Sequence, residues 1–384
     1  MMYIPRNIES EVRKGLASNP VTAITGPRQC GKSTLVRNLI RDRQDVIYLD
    51  LERPSDFRKL DEPEWFFTSQ KDKLICIDEI QRKPDLFPLI RSLTDEWGQN
   101  GKFLVLGSAS RDLLKQSSES LAGRITYIRL TPFLWDEIRS ESSLEDYMVK
   151  GGFPRSLLAD FSRAERWRED FITTFLERDI LQWARVSPLT MHRLWQMIAH
   201  HNGQTINHSS FGSSLGVSNS TVRNYIELLE GTFMLRSVQP YYSNTGKRLV
   251  KSPKVYISDT GILASLLGLY DFAAISGHPV FGTLWETLVL ATITGQSPYA
   301  DVSFYRSTHG AEMDFVIEHK GIKVAVECKA SVSPSLTRGN WSAIQDIQAD
   351  HVFIVSPVNQ GWDLKEGIKI VALEQFELFL RELV

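Results

Sequence analysis

The stretch 21–40 restricts this chain more than any other. It reads as a five-residue apolar run, Val21–Thr25, then Gly26-Pro-Arg-Gln-Cys-Gly31-Lys32-Ser33, then a helical pattern over 34–40. A short run of this kind is a strand buried on both faces. The glycines that follow let the backbone wrap so that successive N–H groups face one concave space. The helix behind them adds the positive end of its dipole. Strand, GxxxxGK[ST] and helix in that order make a phosphate-binding loop. The expected ligand is ATP, lined by Gly26, Pro27, Arg28, Gln29, Cys30, Gly31, Lys32, Ser33 and Thr34. Lys32 is suited to reach the β- and γ-phosphates, and the Ser33 hydroxyl to ligand Mg²⁺.

Four further apolar runs follow: Val46–Asp50, Leu74–Asp78, Phe103–Gly107 and Ile125–Arg129. Helical patterns separate most of them, which predicts an α/β fold on a parallel sheet. The run at 74–78 ends in Asp78-Glu79. Asp78 is suited to hold Mg²⁺ from behind its direct ligands, and Glu79 to orient or deprotonate a water, so the pair favours hydrolysis over mere binding. Ser108, after the run at 103–107, is placed to read the γ-phosphate. Arg124 could reach a neighbouring subunit's nucleotide, or form a surface salt bridge.

GPRQCGKSTL, IDEIQRKPDLF, LGSAS and SLAGRITYIRLTPF together resemble the AAA+-type ATPases found as stand-alone proteins in bacteria and archaea. That resemblance implies a P-loop AAA+ ATPase core, a helical lid, a winged-helix domain and a C-terminal restriction-endonuclease-like α/β domain. The matching ranges are 1–143, 144–187, 188–260 and 261–384. It also implies a homo-oligomer. The family is related to the signal-transduction ATPases with numerous domains. Gly152-Phe153-Pro154 resembles their GxP element, in which Pro154 would pack near the nucleotide base.

With no apolar run near the ~20 residues that span a bilayer and no signal-peptide core, a cytoplasmic protein without a membrane partner is expected. Cys30, Cys76 and Cys328 form no CxxC pair, and each reads as a small buried filler. Net charge is −2, yet between Val186 and Val255 seven cations face only two acids: Arg193, Arg223, Arg236, Lys247, Arg248, Lys251 and Lys254 against Glu227 and Glu230. A basic island in an acidic chain points to an anionic partner. Residues 209–229, followed by runs at 235–242 and 249–257, resemble a winged helix. Ser218, Ser220, Arg223 and Asn224 would lie on the polar face of its second helix, and Lys247, Arg248 and Lys251 on the wing. DNA is the partner this implies.

A last constellation lies at 313–329. With Lys320-Gly321 as a two-residue turn, Asp314 falls opposite Glu327, and Lys329 lies two residues further on the same face. Such a set can hold a divalent cation, Mg²⁺ or Mn²⁺, between Asp314 and Glu327, with Lys329 polarising a bound water. D–x12–ExK resembles the PD-(D/E)xK nuclease core, although Met313 stands where proline would precede the aspartate. Glu286, in a helical pattern over 282–294, matches an extra glutamate of the archaeal Holliday-junction resolvases. Glu312 and His309 read as solvated loop residues. Two functions follow: an ATPase coupled to DNA binding and metal-dependent cleavage, or an ATP-driven switch whose nuclease-like domain is an inactive docking module.

Overall fold

The computed structural model describes residues 3–108, 121–182, 184, 186–242 and 249–383. They divide into two compact units, one of residues up to 133 with 231–233, the other of 134–230 and 234 onward.

In the first unit the apolar runs become strands over the ranges expected: β1 (Val21–Thr25), β2 (Val46–Asp50), β3 (Leu74–Asp78), β4 (Phe103–Gly107) and β5 (Ile125–Arg129). Their order is β2-β3-β4-β1-β5, all parallel. Alternate residues of each strand feed two separate cores, as a strand's twofold period requires. Val21, Ala23, Ile75, Ile77, Phe103 and Val105 belong to one core. Ile24, Leu74, Cys76, Leu104 and Leu106 belong to the other, with Leu35 and Val36 of helix Lys32–Leu39. The three cysteines are buried and free. Because β1 sits between β4 and β5, its carboxyl end opens at the point where the chain order reverses, where such sheets bind ligands.

The second unit begins with helices. Phe161–Thr174 is capped by the Asp160 side chain, and Phe153, Trp167 and Phe171 stack against one another with ring centroids 5.0–5.5 Å apart. Next come helix Pro188–His200, β6 (Gln204–Thr205), helices His208–Leu215 and Asn219–Gly231, β7 (Leu235–Pro240) and β8 (Lys254–Ile257). β8 pairs antiparallel with both β6 and β7. The turn expected at 244–246 lies outside the described residues.

β7 also pairs in parallel with β9 (Asp301–Arg306). One sheet therefore runs on through β10 (Glu312–His319), β11 (Ile322–Cys328), β12 (His351–Val355), β14 (Ile368–Val371) and the edge strand β13 (Trp362–Lys365). Helices Phe281–Gln296 and Leu373–Leu383 match the expected positions. Helix Arg338–Ile347, β13 and β14 were not legible in the pattern; β13 is exposed along its whole length. None of the described helices is long and apolar enough to cross a membrane.

Candidate functional site

The phosphate loop is shaped by two backbone demands. A Cβ on Gly26 would stand 2.1 Å from the Leu130 carbonyl oxygen, so only glycine lets β1 pass that chain. Gln29 and Gly31 take positive φ, 62° and 103°, which turns the loop back on itself before the helix starts at Lys32. Cys30 is buried beneath it. Arg6 braces it from outside the motif, donating to the carbonyls of Cys30 (3.1 Å), Thr131 (2.8 Å) and Pro132 (3.1 Å). The Lys32 ammonium is folded across the loop onto the Gly26 and Pro27 carbonyls, at 3.0 and 2.8 Å. Thr34 is exposed on the helix beyond, and Arg28 pairs with Glu52 at 3.3 Å.

At the end of β3 the Ser33 hydroxyl donates to Asp78 Oδ2 at 2.6 Å, and the Tyr48 hydroxyl donates to the same oxygen. A hydroxyl backed by a buried carboxylate is a hard-oxygen donor set that fits Mg²⁺, with Ser33 as the direct ligand and Asp78 behind it. Glu79 follows in the left-handed region at φ 55°, a conformation that costs a non-glycine residue about 1 kcal/mol or more. That turn places its carboxylate against Gln81 and Ser108: Gln81 Nε2 donates to Glu79 and to Ser108 Oγ (2.9 Å), and Ser108 Oγ lies 3.3 Å from Glu79 Oε2. Burial pushes the Glu79 carboxyl up, with Lys32 and Arg28 pulling it back. A base with a raised pKa beside a phosphate loop is suited to take a proton from water.

Lys32, Ser33, Asp78, Glu79 and Ser108 are thus brought together. Arg124 is not among them. It forks onto the Asp95 carboxylate, 3.0 Å at its second contact, which is the surface salt bridge of the two expected roles. Pro154 opens a short helix in the second unit. Tyr48 and Arg6 carry no motif, and Gln81 lies within IDEIQRKPDLF without its position there implying a role.

The second constellation sits on the β10–β11 hairpin. Lys320 and Gly321 turn with φ 47° and 85°, and the register runs from His319↔Ile322 to Phe315↔Val326, as the two-residue turn requires. The Asp314 carboxylate is buried and accepts the Cys328 N–H at 2.9 Å on Oδ2. Glu327 meets Lys329 at 2.8 Å through Oε1, while its Oε2 is buried with no partner. Glu286 accepts from the Tyr256 hydroxyl at 2.8 Å. Burial, then the Asp314 charge, push both Glu286 and Glu327 up to about 8. Lys329 moves up as well: burial opposes its charge, but Glu327 outweighs it.

One member was assigned elsewhere by the sequence. Lys254, read as part of the basic island, is buried here, 2.9 Å from Glu312 Oε1 and 3.5 Å from Asp314 Oδ1. Glu312, read as a solvated loop residue, is its closer partner. Both correct the sequence reading, and for one reason: charge counts do not show which cations a sheet turns inward. Asp314 thus faces a donor on each oxygen, and the Lys254 and Lys329 ammonium groups already stand against the Glu312, Asp314 and Glu327 carboxylates. Among the described residues no group of three or more His, Cys, Asp or Glu is arranged to hold a metal ion. As placed, Asp314 and Glu327 do not fit the shared divalent cation expected of them. Of the remaining island, Arg193, Arg223 and Lys251 are exposed, Arg236 is half-buried, and Lys247 and Arg248 lie outside the described residues.

A protein-family model described as "AAA domain" matches residues 18–139, the unit that carries the phosphate loop. Models described as domains of unknown function match 141–272 (DUF8612) and 281–376 (DUF4143). Uncharacterized proteins of Mycobacterium tuberculosis and Mycobacterium bovis are each 36% identical over 377 residues, covering 98% of this chain and 85% of theirs. The chain belongs to their family, and it carries an AAA domain over residues 18–139. An uncharacterized Haemophilus influenzae protein is 25% identical over 280 residues, 65% of this chain and 69% of that one. Among solved structures, a Walker-type ATPase of Pyrococcus abyssi aligns with TM-score 0.48 and 15% identity over 69% of this chain and 96% of that one, a loose likeness.

Proposed function

We propose that this AAA+-type ATPase is an ATP-driven switch that acts on DNA in the cytoplasm as a homo-oligomer. The observation that carries the ATP half is the contact set at the β3 and β4 ends: Ser33 on Asp78, and Glu79 beside Ser108 and Gln81. Lys32 exchanges the Gly26 and Pro27 carbonyls for the phosphates, which offer it full negative charge. Ser33, with Asp78 behind it, would hold Mg²⁺, which when bound would supply neutralising positive charge for the phosphates. Glu79 takes the proton of the attacking water, and Ser108 donates to the γ-phosphate. Arg124 reaches a neighbour's nucleotide only after leaving Asp95.

The DNA half rests on the order helix, strand, two helices, two strands over 188–257 and on exposed Arg223, Asn224, Ser218 and Ser220. This is the order of a winged helix, with Asn219–Gly231 as its recognition helix. The C-terminal module then docks rather than cuts. Metal-dependent cleavage is the second reading. The one observation in its favour is Glu327 Oε2, the single oxygen of the Asp314–Glu327 pair that meets no donor.

The deciding experiment follows ATP turnover and strand cleavage together for wild type, Lys32→Ala and Asp314→Ala on linear, branched and single-stranded DNA with Mg²⁺ and Mn²⁺. The switch expects turnover that Lys32→Ala abolishes and no cleavage in any lane. Cleavage lost in Asp314→Ala would establish the second reading, and no ATP turnover in wild type under any condition would sink the first.

A further inference from the structure

We infer that Lys254 is the resident counter-cation of the hairpin carboxylates, and that it closes this cluster to metal ions while it is in place. The residue belongs to β8, 60 positions before Asp314, and its side chain is only 3% exposed. Its backbone cannot swing away easily. Lys254 is paired on one side with Thr205 of β6 and on the other with Val238 of β7. The stem crosses the Phe304 ring, 5.3 Å from centroid to Nζ, and the ammonium ends at Glu312 Oε1 and Asp314 Oδ1.

A divalent ion shared by Asp314 and Glu327 needs lone pairs from both. Asp314 Oδ2 already accepts the Cys328 N–H, its Oδ1 faces Lys254, and Glu327 Oε1 is held by Lys329, which leaves Glu327 Oε2 as the one oxygen of the pair without a donor. Bringing a metal in would set two cations side by side. Expelling the lysine would strand its charge in the interior, which is costly unless it reaches water or a new partner. The fold has therefore supplied from a neighbouring strand the positive charge that a metal would bring. This deepens the docking-module reading of the C-terminal unit and rests on it for the choice of site.

The test is a Mn²⁺ titration of the nucleotide-free full chain, read by electron paramagnetic resonance. It covers wild type, Lys254→Met, Lys254→Gln and Lys254→Arg, each with and without Asp314→Asn. Wild type and Lys254→Arg should show no Asp314-dependent site up to about 1 mM Mn²⁺, whereas Lys254→Met and Lys254→Gln gain one at least roughly tenfold tighter, lost on adding Asp314→Asn. An Asp314-dependent site in wild type overturns the inference, as does unchanged Mn²⁺ affinity in folded Met and Gln variants. Should both variants misfold, the wild-type titration decides alone: binding refutes and its absence supports. ATP turnover of the same wild-type sample reports on the first unit independently, so loss of the ATPase reading is told apart from loss of this one.

Discussion

At the scale of single residues, the proposed ATP site draws on groups with a motif and groups without one. Glu79→Gln should retain nucleotide and lose turnover by about 10²–10⁴-fold, the usual worth of a positioned base. Since burial raises the Glu79 pKa, and the base works ionised, the acid limb of the kcat–pH profile should lie above the ordinary carboxylate range. A limb at or below that range would remove Glu79 from the role. Tyr48 holds the Asp78 oxygen that Ser33 also uses. Tyr48→Phe should raise the Mg²⁺ concentration for half-maximal turnover several-fold while Mg²⁺-free ATP binding stays as it was; an unchanged Mg²⁺ requirement would make Tyr48 mere packing. Outside both sites, Glu377 is buried with neither carboxylate oxygen partnered. Burial, then Asp136 and Glu374, push it up to about 8. A raised carboxylate pKa means the folded state keeps a proton the unfolded state has lost. The stability it confers is complete below about pH 4.5 and drains away as pH rises toward 8, at up to roughly 1.4 kcal/mol per pH unit. Glu377→Gln should flatten that slope in denaturant titrations at pH 5, 7 and 9. A slope equal to wild type would show that other groups cause it.

At the scale of elements, two turns are set by backbone shape rather than by side-chain chemistry. Gly26→Ala drives a methyl group into the Leu130 carbonyl. Because backbone cannot yield as a side chain can, nucleotide affinity should fall at least about tenfold, with a stability loss on the order of 1–3 kcal/mol; equilibrium binding and thermal unfolding measure both. In the hairpin, Lys320 occupies a positive-φ position that asparagine or glycine tolerates better. Lys320→Asn should therefore stabilise the chain by a few tenths of a kcal/mol up to about 1 kcal/mol, and a destabilised variant would argue that the Lys320 side chain has work of its own.

At the scale of the whole molecule, a net charge of −2 leaves DNA attraction to local groups. Arg223→Ala should weaken binding to all sequences alike and reduce the slope of log affinity against log salt by about 1; an unchanged slope would place the DNA elsewhere. The apolar runs determined the five described strands of the first unit to the residue, because each is a compact apolar block; β1, β3 and β4 are buried throughout, whereas β2 and β5 are mostly half-buried. The GxxxxGK[ST] and Asp78-Glu79 signals likewise determined which side chains gather at the ends of β1 and β3, since backbone shape and charge there are local properties. The hairpin register was equally legible, given one two-residue turn. What only the tertiary structure decided are the partners that arrive from far along the chain: Arg6 under the loop, Tyr48 on Asp78, and above all Lys254 between Glu312 and Asp314. A count of charges treats Lys254 as a surface cation, and a motif search never visits it. Its role exists because β8 and β10 belong to one sheet, and a sheet brings side chains together by position in space rather than by distance in sequence.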